Sequence, residues 1–197
     1  MKSSIFKRLF VTVLLVGLVG VVGLAGSESY VSISEVAWSG TQANWADEWL
    51  ELRNTSNNEI DLTGWTLSWE GVTVHLGEEQ ENTIAVNEKT IGPDEAFLLE
   101  RSDDEAVASV KADLVFQGSL ANSGEKLVLR NPQGEKVQVV DGSKGWMAGT
   151  SSSGDPGYGS MELVDGKWVT RKEKGSQKDL EDNPIYGTPG TLPEESE

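Results

Sequence analysis

The sequence predicts an all-β, antiparallel β-sandwich preceded by one N-terminal apolar helix, and three observations carry that expectation. From Val31 onward apolar residues recur at period 2 in short runs separated by Gly, Asn, Asp and Pro, as in sheets with one buried face. Between these runs there is no room for the crossover helices of a parallel βαβ sheet. One uninterrupted apolar stretch, residues 9–25, stands apart behind Lys2, Lys7 and Arg8.

The clearest strands are the alternating run Trp65, Leu67, Trp69 and, after Gly71, the run Val72, Val74, Leu76; the short connection makes them a hairpin. Further strands are expected at 31–38, 48–54, 96–100, 114–116, 125–130 and 136–141. In the first of these the apolar phase slips between Ile33 and Val36, so a β-bulge near Ser34 and Glu35 is expected to turn Val36 and Trp38 inward again. Asn131-Pro132-Gln133-Gly134 supplies a Pro preset for a turn and a Gly free to take positive φ, which joins 127–130 and 137–140 as a second hairpin. Only 103–111 leans towards helix, with Ser102 or Asp103 as a cap.

The organisation expected is therefore a signal peptide or membrane anchor at 1–26, a sandwich at 27–170, and an acidic, Pro- and Gly-containing tail at 171–197. The 17 apolar residues of 9–25 would make a helix of roughly 26 Å, close to a bilayer's hydrocarbon thickness. Small residues at Gly23, Ala25 and Gly26 suit a signal peptidase, whereas the basic flank suits a retained anchor. Either way the domain is expected outside the cytoplasm, secreted or held on the membrane by that helix.

Charge narrows the partners. The chain carries 32 acidic and 16 basic residues, and every acidic residue follows Ala25. Such a surface repels phosphate backbones, so nucleic acid is not expected; the one basic cluster, Arg171, Lys172 and Lys174, is diluted by Glu173. With no cysteine, the domain has no disulfides and no thiolate metal site.

Catalysis has little to stand on. His75 is the only histidine and points to the polar face of its strand, and no Gly-x-Ser-x-Gly, His-Glu-x-x-His or phosphate-binding glycine loop occurs. No catalytic residue, cofactor or metal ligand is assigned; only a carboxylate-pair mechanism such as glycoside hydrolysis is left open. Glu78, Glu79 and Glu81, or Asp103, Asp104 and Glu105, offer oxygen ligands for calcium, yet neither run has the spaced calcium-loop pattern, so both read first as solvated loops.

Several segments then resemble one family in order and spacing. Ile33-Ser34-Glu35-Val36, Asp47-Glu48-Trp49-Leu50-Glu51-Leu52-Arg53-Asn54 and Ile60-Asp61-Leu62-Thr63-Gly64-Trp65-Thr66-Leu67 resemble the opening strands of the prokaryotic lamin tail domain. Gly92-Pro93, the stretch from Ser119 to Glu125, Ser160-Met161-Glu162 and Thr188-Pro189-Gly190 continue the likeness. The resemblance implies an immunoglobulin-like sandwich of the kind found after the rod of nuclear lamins and on secreted or surface proteins of bacteria, sometimes beside hydrolase domains. This chain has no heptads for a rod. It also has Leu163 where a basic residue often follows the acidic one, which leaves the charge partner of Glu162 open.

Fold does not fix function. Two readings follow: a protein-contact or tethering module working through sheet edges and loops, and a carbohydrate-binding module in which Trp38, Trp45 and Trp146, near loops rich in Gly, Ser, Asn and Thr, stack on sugar rings. Two or more loop tryptophans exposed on one plane would favour the sugar. For Trp38 and Trp45 the competing expectation is that they close the end of the sandwich.

Overall fold

A computed structural model describes residues 30–192; the expected helix at 9–25 lies outside them. Thirteen strands run in chain order: β1 (Val31–Ala37), β2 (Trp49–Asn54), β3 (Ile60–Asp61), β4 (Trp65–Trp69), β5 (Val72–Leu76), β6 (Thr83–Val86), β7 (Thr90–Ile91), β8 (Ala96–Arg101), β9 (Leu114–Phe116), β10 (Lys126–Arg130), β11 (Lys136–Asp141), β12 (Met161–Val164) and β13 (Lys167–Thr170). The fold is all-β, and no helix occurs among the described residues. The large sheet has the order β13-β12-β1-β2-β8-β9-β6, the small one β11-β10-β4-β5, and β3 and β7 form a separate ribbon.

The hairpins form where turn residues meet alternation. Trp65 faces Leu76 and Trp69 faces Val72 across β4 and β5, while Leu127 faces Val140 across β10 and β11. The expected bulge is present: the β1–β2 register slips between Ile33 and Glu35, after which Val36 points into the core. The inner faces of both sheets share one apolar core, in which Ile33, Leu52, Phe97, Leu99, Leu67, Leu129 and Trp65 are buried together. Trp69 and Phe116 meet there edge to face, ring centroids 5.6 Å apart. Polar clasps close the two sides: the Ile33 N–H donates to Gln138 Oε1 (2.6 Å), and the His75 N–H donates to Thr83 Oγ1 (2.8 Å).

Three features differ from the sequence expectation. β8 and β9 run parallel, so the sandwich is not wholly antiparallel. The connection between them has to return over the outer face of the large sheet, and it is built from the residues expected to be helical. There the Glu100 and Asp104 carboxylates accept the Ala106 and Ala112 N–H groups, 2.9 and 2.7 Å, holding the backbone in turns instead of a helical ladder. Ala106 and Val107 pack with Trp49, Leu98 and Ile185 into a second, smaller apolar cluster.

The third difference is the segment after β13. Expected as a tail beyond the sandwich, it lies against it through the described residues: Ile185 and Thr188 are buried, the Gly175 N–H donates to the Ile185 carbonyl (2.8 Å), and the Ser160 N–H donates to that of Tyr186 (2.9 Å). A few well-placed residues suffice, because the outer face beneath offers buried acceptors.

Candidate functional site

Of the three tryptophans singled out from sequence, two come together and one stands apart. Trp38 and Trp146 stack at 6.2 Å and 11° between planes. Their indole N–H groups donate to the Ala148 and Ala121 carbonyls, 3.0 and 2.9 Å away. Trp38 is buried and Trp146 half-buried, so both close one end of the sandwich and have no free polar edge for a ligand. Trp45, by contrast, is 69% exposed.

Trp45 sits on a loop that is tightly built. The Thr41 N–H and the Asp47 N–H both donate to the Asn44 carbonyl, 3.0 and 3.2 Å. Asn44 Nδ2 donates to Asp47 Oδ1 (2.7 Å), Thr41 Oγ1 to Asp47 Oδ2 (3.2 Å), and the Ala46 N–H to Asn44 Oδ1 (3.0 Å). Gly40 opens the loop at φ 79°, where a Cβ would come within 2.4 Å of the Trp45 carbonyl oxygen. Beside the ring, Arg101 Cζ lies 6.0 Å from its centroid, and Arg101 is held by Glu48 (Nη1 to Oε1, 3.2 Å), whose other oxygen accepts the Leu120 N–H at 2.7 Å. Burial pushes Glu48 up to about 7 and Asp47 up to about 6, the latter helped by the charges of Asp103 and Asp179.

A second loop is tied to the first. Asp179 Oδ2 accepts the Ala43 N–H (2.8 Å) while Oδ1 accepts the Glu181 and Asn183 N–H groups, 3.0 and 2.9 Å. That turn presents Leu180, 54% exposed. This end of the molecule thus shows two apolar side chains on a hydrogen-bonded base, bordered by Asp103 and the Asp179 turn.

Sequence reasoning missed the most unusual polar arrangement. Glu35 on β1, Glu51 on β2 and Glu162 on β12 are cross-strand partners, Glu35 facing Glu162 on one side and Glu51 on the other. They form one row on the outer face of the large sheet, exposed by no more than 1%. Residues 187–190 cross above them. Thr188 Oγ1 lies 2.8 Å from Glu35 Oε2 and 3.1 Å from Glu162 Oε1, the Thr188 N–H donates to Glu35 Oε1 (3.0 Å), and the Gly190 N–H donates to Glu51 Oε1. Ser160 Oγ donates to Glu35 Oε1. Gly187 passes so close that a Cβ there would be 2.7 Å from Glu35 Oε1 and 2.8 Å from the Trp49 ring.

A cation among the described residues reaches the row: Arg171 Nη1 is 3.5 Å from Glu162 Oε2. It supplies from just past the end of β13 the positive charge that Leu163 does not. Burial pushes Glu35 up to about 8, aided by the neighbouring Glu162 charge; burial and Glu35 raise Glu51 well above the usual range, and burial raises Glu162. The signal that could have exposed the row was the resemblance, since all three glutamates and Thr188-Pro189-Gly190 lie in its motifs.

The two acidic loops considered for calcium do not converge: among the described residues no group of three or more His, Asp or Glu side chains is placed to hold a metal ion. His75 lies across from Thr66 on the hairpin and is half-buried.

The comparison with curated proteins finds no match. The model of the lamin tail domain matches residues 25–144, which runs from before β1 through β11 and covers more than half of the sequence; the chain belongs to the lamin tail domain family.

Proposed function

We propose that the chain is an exported, non-catalytic binding or tethering module that contacts a protein partner at the cell envelope or outside the cell. The observation that carries this reading is Trp45: a large aromatic, 69% exposed, on a loop whose backbone and side chains are fixed by hydrogen bonds. Exposed tryptophan is a frequent anchor of protein interfaces, and a pre-ordered loop lowers the entropy lost on binding. Leu180 on the tied turn extends the apolar centre, and the acidic border favours a partner with basic residues at its rim.

A protein fits this surface better than a glycan. Sugar binding gains from several flat aromatic faces on one plane, and Trp38 and Trp146 are engaged with each other and with backbone carbonyls. Export is supported by the basic and apolar pattern of residues 2–25, and the non-catalytic reading by a non-catalytic family and by a sequence with a single histidine.

The test compares wild type with Trp45→Ala in quantitative capture from envelope extract, beside a glycan array. The expected result is at least a tenfold weaker capture of the same partner, about 1.4 kcal/mol, with an unchanged melting temperature. Unchanged capture with lowered melting would make Trp45 structural; array binding lost on mutation would assign the site to sugars.

A further inference from the structure

Thr188 poses a counting problem that its neighbours must solve. A hydroxyl has one proton to donate, yet Thr188 Oγ1 contacts carboxyl oxygens of both Glu35 and Glu162, at 2.8 and 3.1 Å. Two full two-centre hydrogen bonds require one of the two carboxyls to hold a proton and donate it to Thr188; with both ionised, the single hydroxyl proton is split between two acceptors. The charges point the same way. Glu162, Glu35 and Glu51 stand on adjacent strands, where opposed residues have Cβ atoms about 5 Å apart, and among the described residues the ion pair to the row is that of Arg171 with Glu162.

Among the described residues Arg53, two along β2 from Glu51 on the same face, pairs with Asp94 at 3.7 Å, and two acidic groups act on the row: Asp113, ahead of β9, whose charge acts on Glu51, and Glu173, which draws on Arg171 at 3.9 Å. Both make full ionisation harder. The crossing segment contributes neutral donors only: the Thr188 hydroxyl and the Thr188 and Gly190 amides. Glu51 Oε2 is buried with no hydrogen-bond partner, so an ionised Glu51 is only half satisfied.

We propose that residues 187–190 are a proton-operated latch, seated on the large sheet while the Glu162–Glu35–Glu51 row shares protons and lifting, with the sandwich intact, when the row is stripped of them. Lifting hydrates the carboxylates, uncovers Trp49, and slackens the segment whose Asp179 braces the Trp45 loop. The apolar core between the sheets has no part in it, which is what lets the latch open alone. The latch stands independently of any partner at Trp45.

The chain has no cysteine, so Thr191→Cys, at an exposed position beside the latch, takes a single spin label. Electron paramagnetic resonance and far-ultraviolet circular dichroism are then followed from pH 6 to pH 10. The expected result is an immobilised label at pH 6 and a mobile fraction at least tenfold larger at pH 10, with unchanged dichroism. In Glu35→Gln/Glu51→Gln, where neutral amides stand in for the protonated acids, the label stays immobilised to pH 10. A wild-type label that stays immobile to pH 10, or that is freed only together with loss of β-structure, overturns the latch. So does release in the Gln variant at the wild-type pH. Should the Gln variant not fold, the wild-type titration alone decides.

Discussion

The two faces of the large sheet are held by opposite means. The inner face meets the small sheet through Ile33, Leu52, Phe97 and Leu99, apolar side chains whose burial does not depend on pH. The outer face mixes a small apolar cluster around Trp49, Leu98 and Ile185 with the glutamate row and its cover. Stability of the first kind rests on removing hydrocarbon from water; that of the second rests on polar groups that are useful only while all their partners are present. A single β-strand thus contributes to both, Ile33 on one side and Glu35 on the other, with the bulge between them setting the phase.

The largest effect is expected on the inner face. Trp65→Ala should cost about 3–5 kcal/mol in urea unfolding, the range for losing a large buried aromatic, and by the same amount at pH 6 and pH 9. A pH-dependent loss would break the comparison. On the outer face Thr188→Val keeps the branched shape but removes the hydroxyl shared by Glu35 and Glu162; a loss of about 1–3 kcal/mol at neutral pH is expected, with little effect once the row is ionised.

The wild-type pH profile sharpens the contrast. Glu35 and Glu100 are raised to about 8, Glu48 to about 7, and Asp47 and Asp113 to about 6, each chiefly by burial. In the unfolded chain these groups return to ordinary values, 4.5 for Glu and 3.8 for Asp. The folded state therefore holds more protons, and stability is greatest at acidic pH and is lost as pH rises through about 6 to 8. Asp61 and Asp141, lowered by hydrogen bonds, work in the opposite sense but lie at the surface, where solvent screens them. Calorimetry should give a lower melting temperature at pH 9 than at pH 5.5, and a flatter profile for Glu51→Gln; a flat wild-type profile would contradict the protonated row. The smallest effect is expected at the rim: Trp45→Ala should change unfolding free energy by less than about 0.5 kcal/mol.

What could be read beforehand follows the same division. The hairpin at β4 and β5, the Asn131-Pro132-Gln133-Gly134 turn and the β1 bulge were legible, because period-2 alternation against one apolar face leaves its mark residue by residue. The β12–β13 hairpin carries a two-residue signal, Asp165-Gly166 at φ 48° and 73°, but its strand buries Glu162 and Met161 together and breaks the alternation. The ribbon of β3 and β7, two residues each, is too short for any period to register. Glu35 and Glu51 alternate with apolar residues and so look like solvent-facing positions; only a segment far along the chain makes them buried. The phase of β1 pointed Trp38 inward and Trp45 lies on the loop that follows, whereas nothing local told Trp146 apart from Trp45.

That distance along the chain sets a timetable. Thr188 is made 153 residues after Glu35, which at about 5–20 residues per second is a wait of roughly 8 to 30 seconds during synthesis. Throughout that interval Glu35 and Glu51 must stay hydrated, and until β12 is made β1 lacks that neighbour, leaving one edge open for strands of other chains. A fragment ending with the family match at residue 144 reproduces that unfinished intermediate rather than a smaller domain. Shortened versions should therefore be aggregation-prone unless they extend past Gly190.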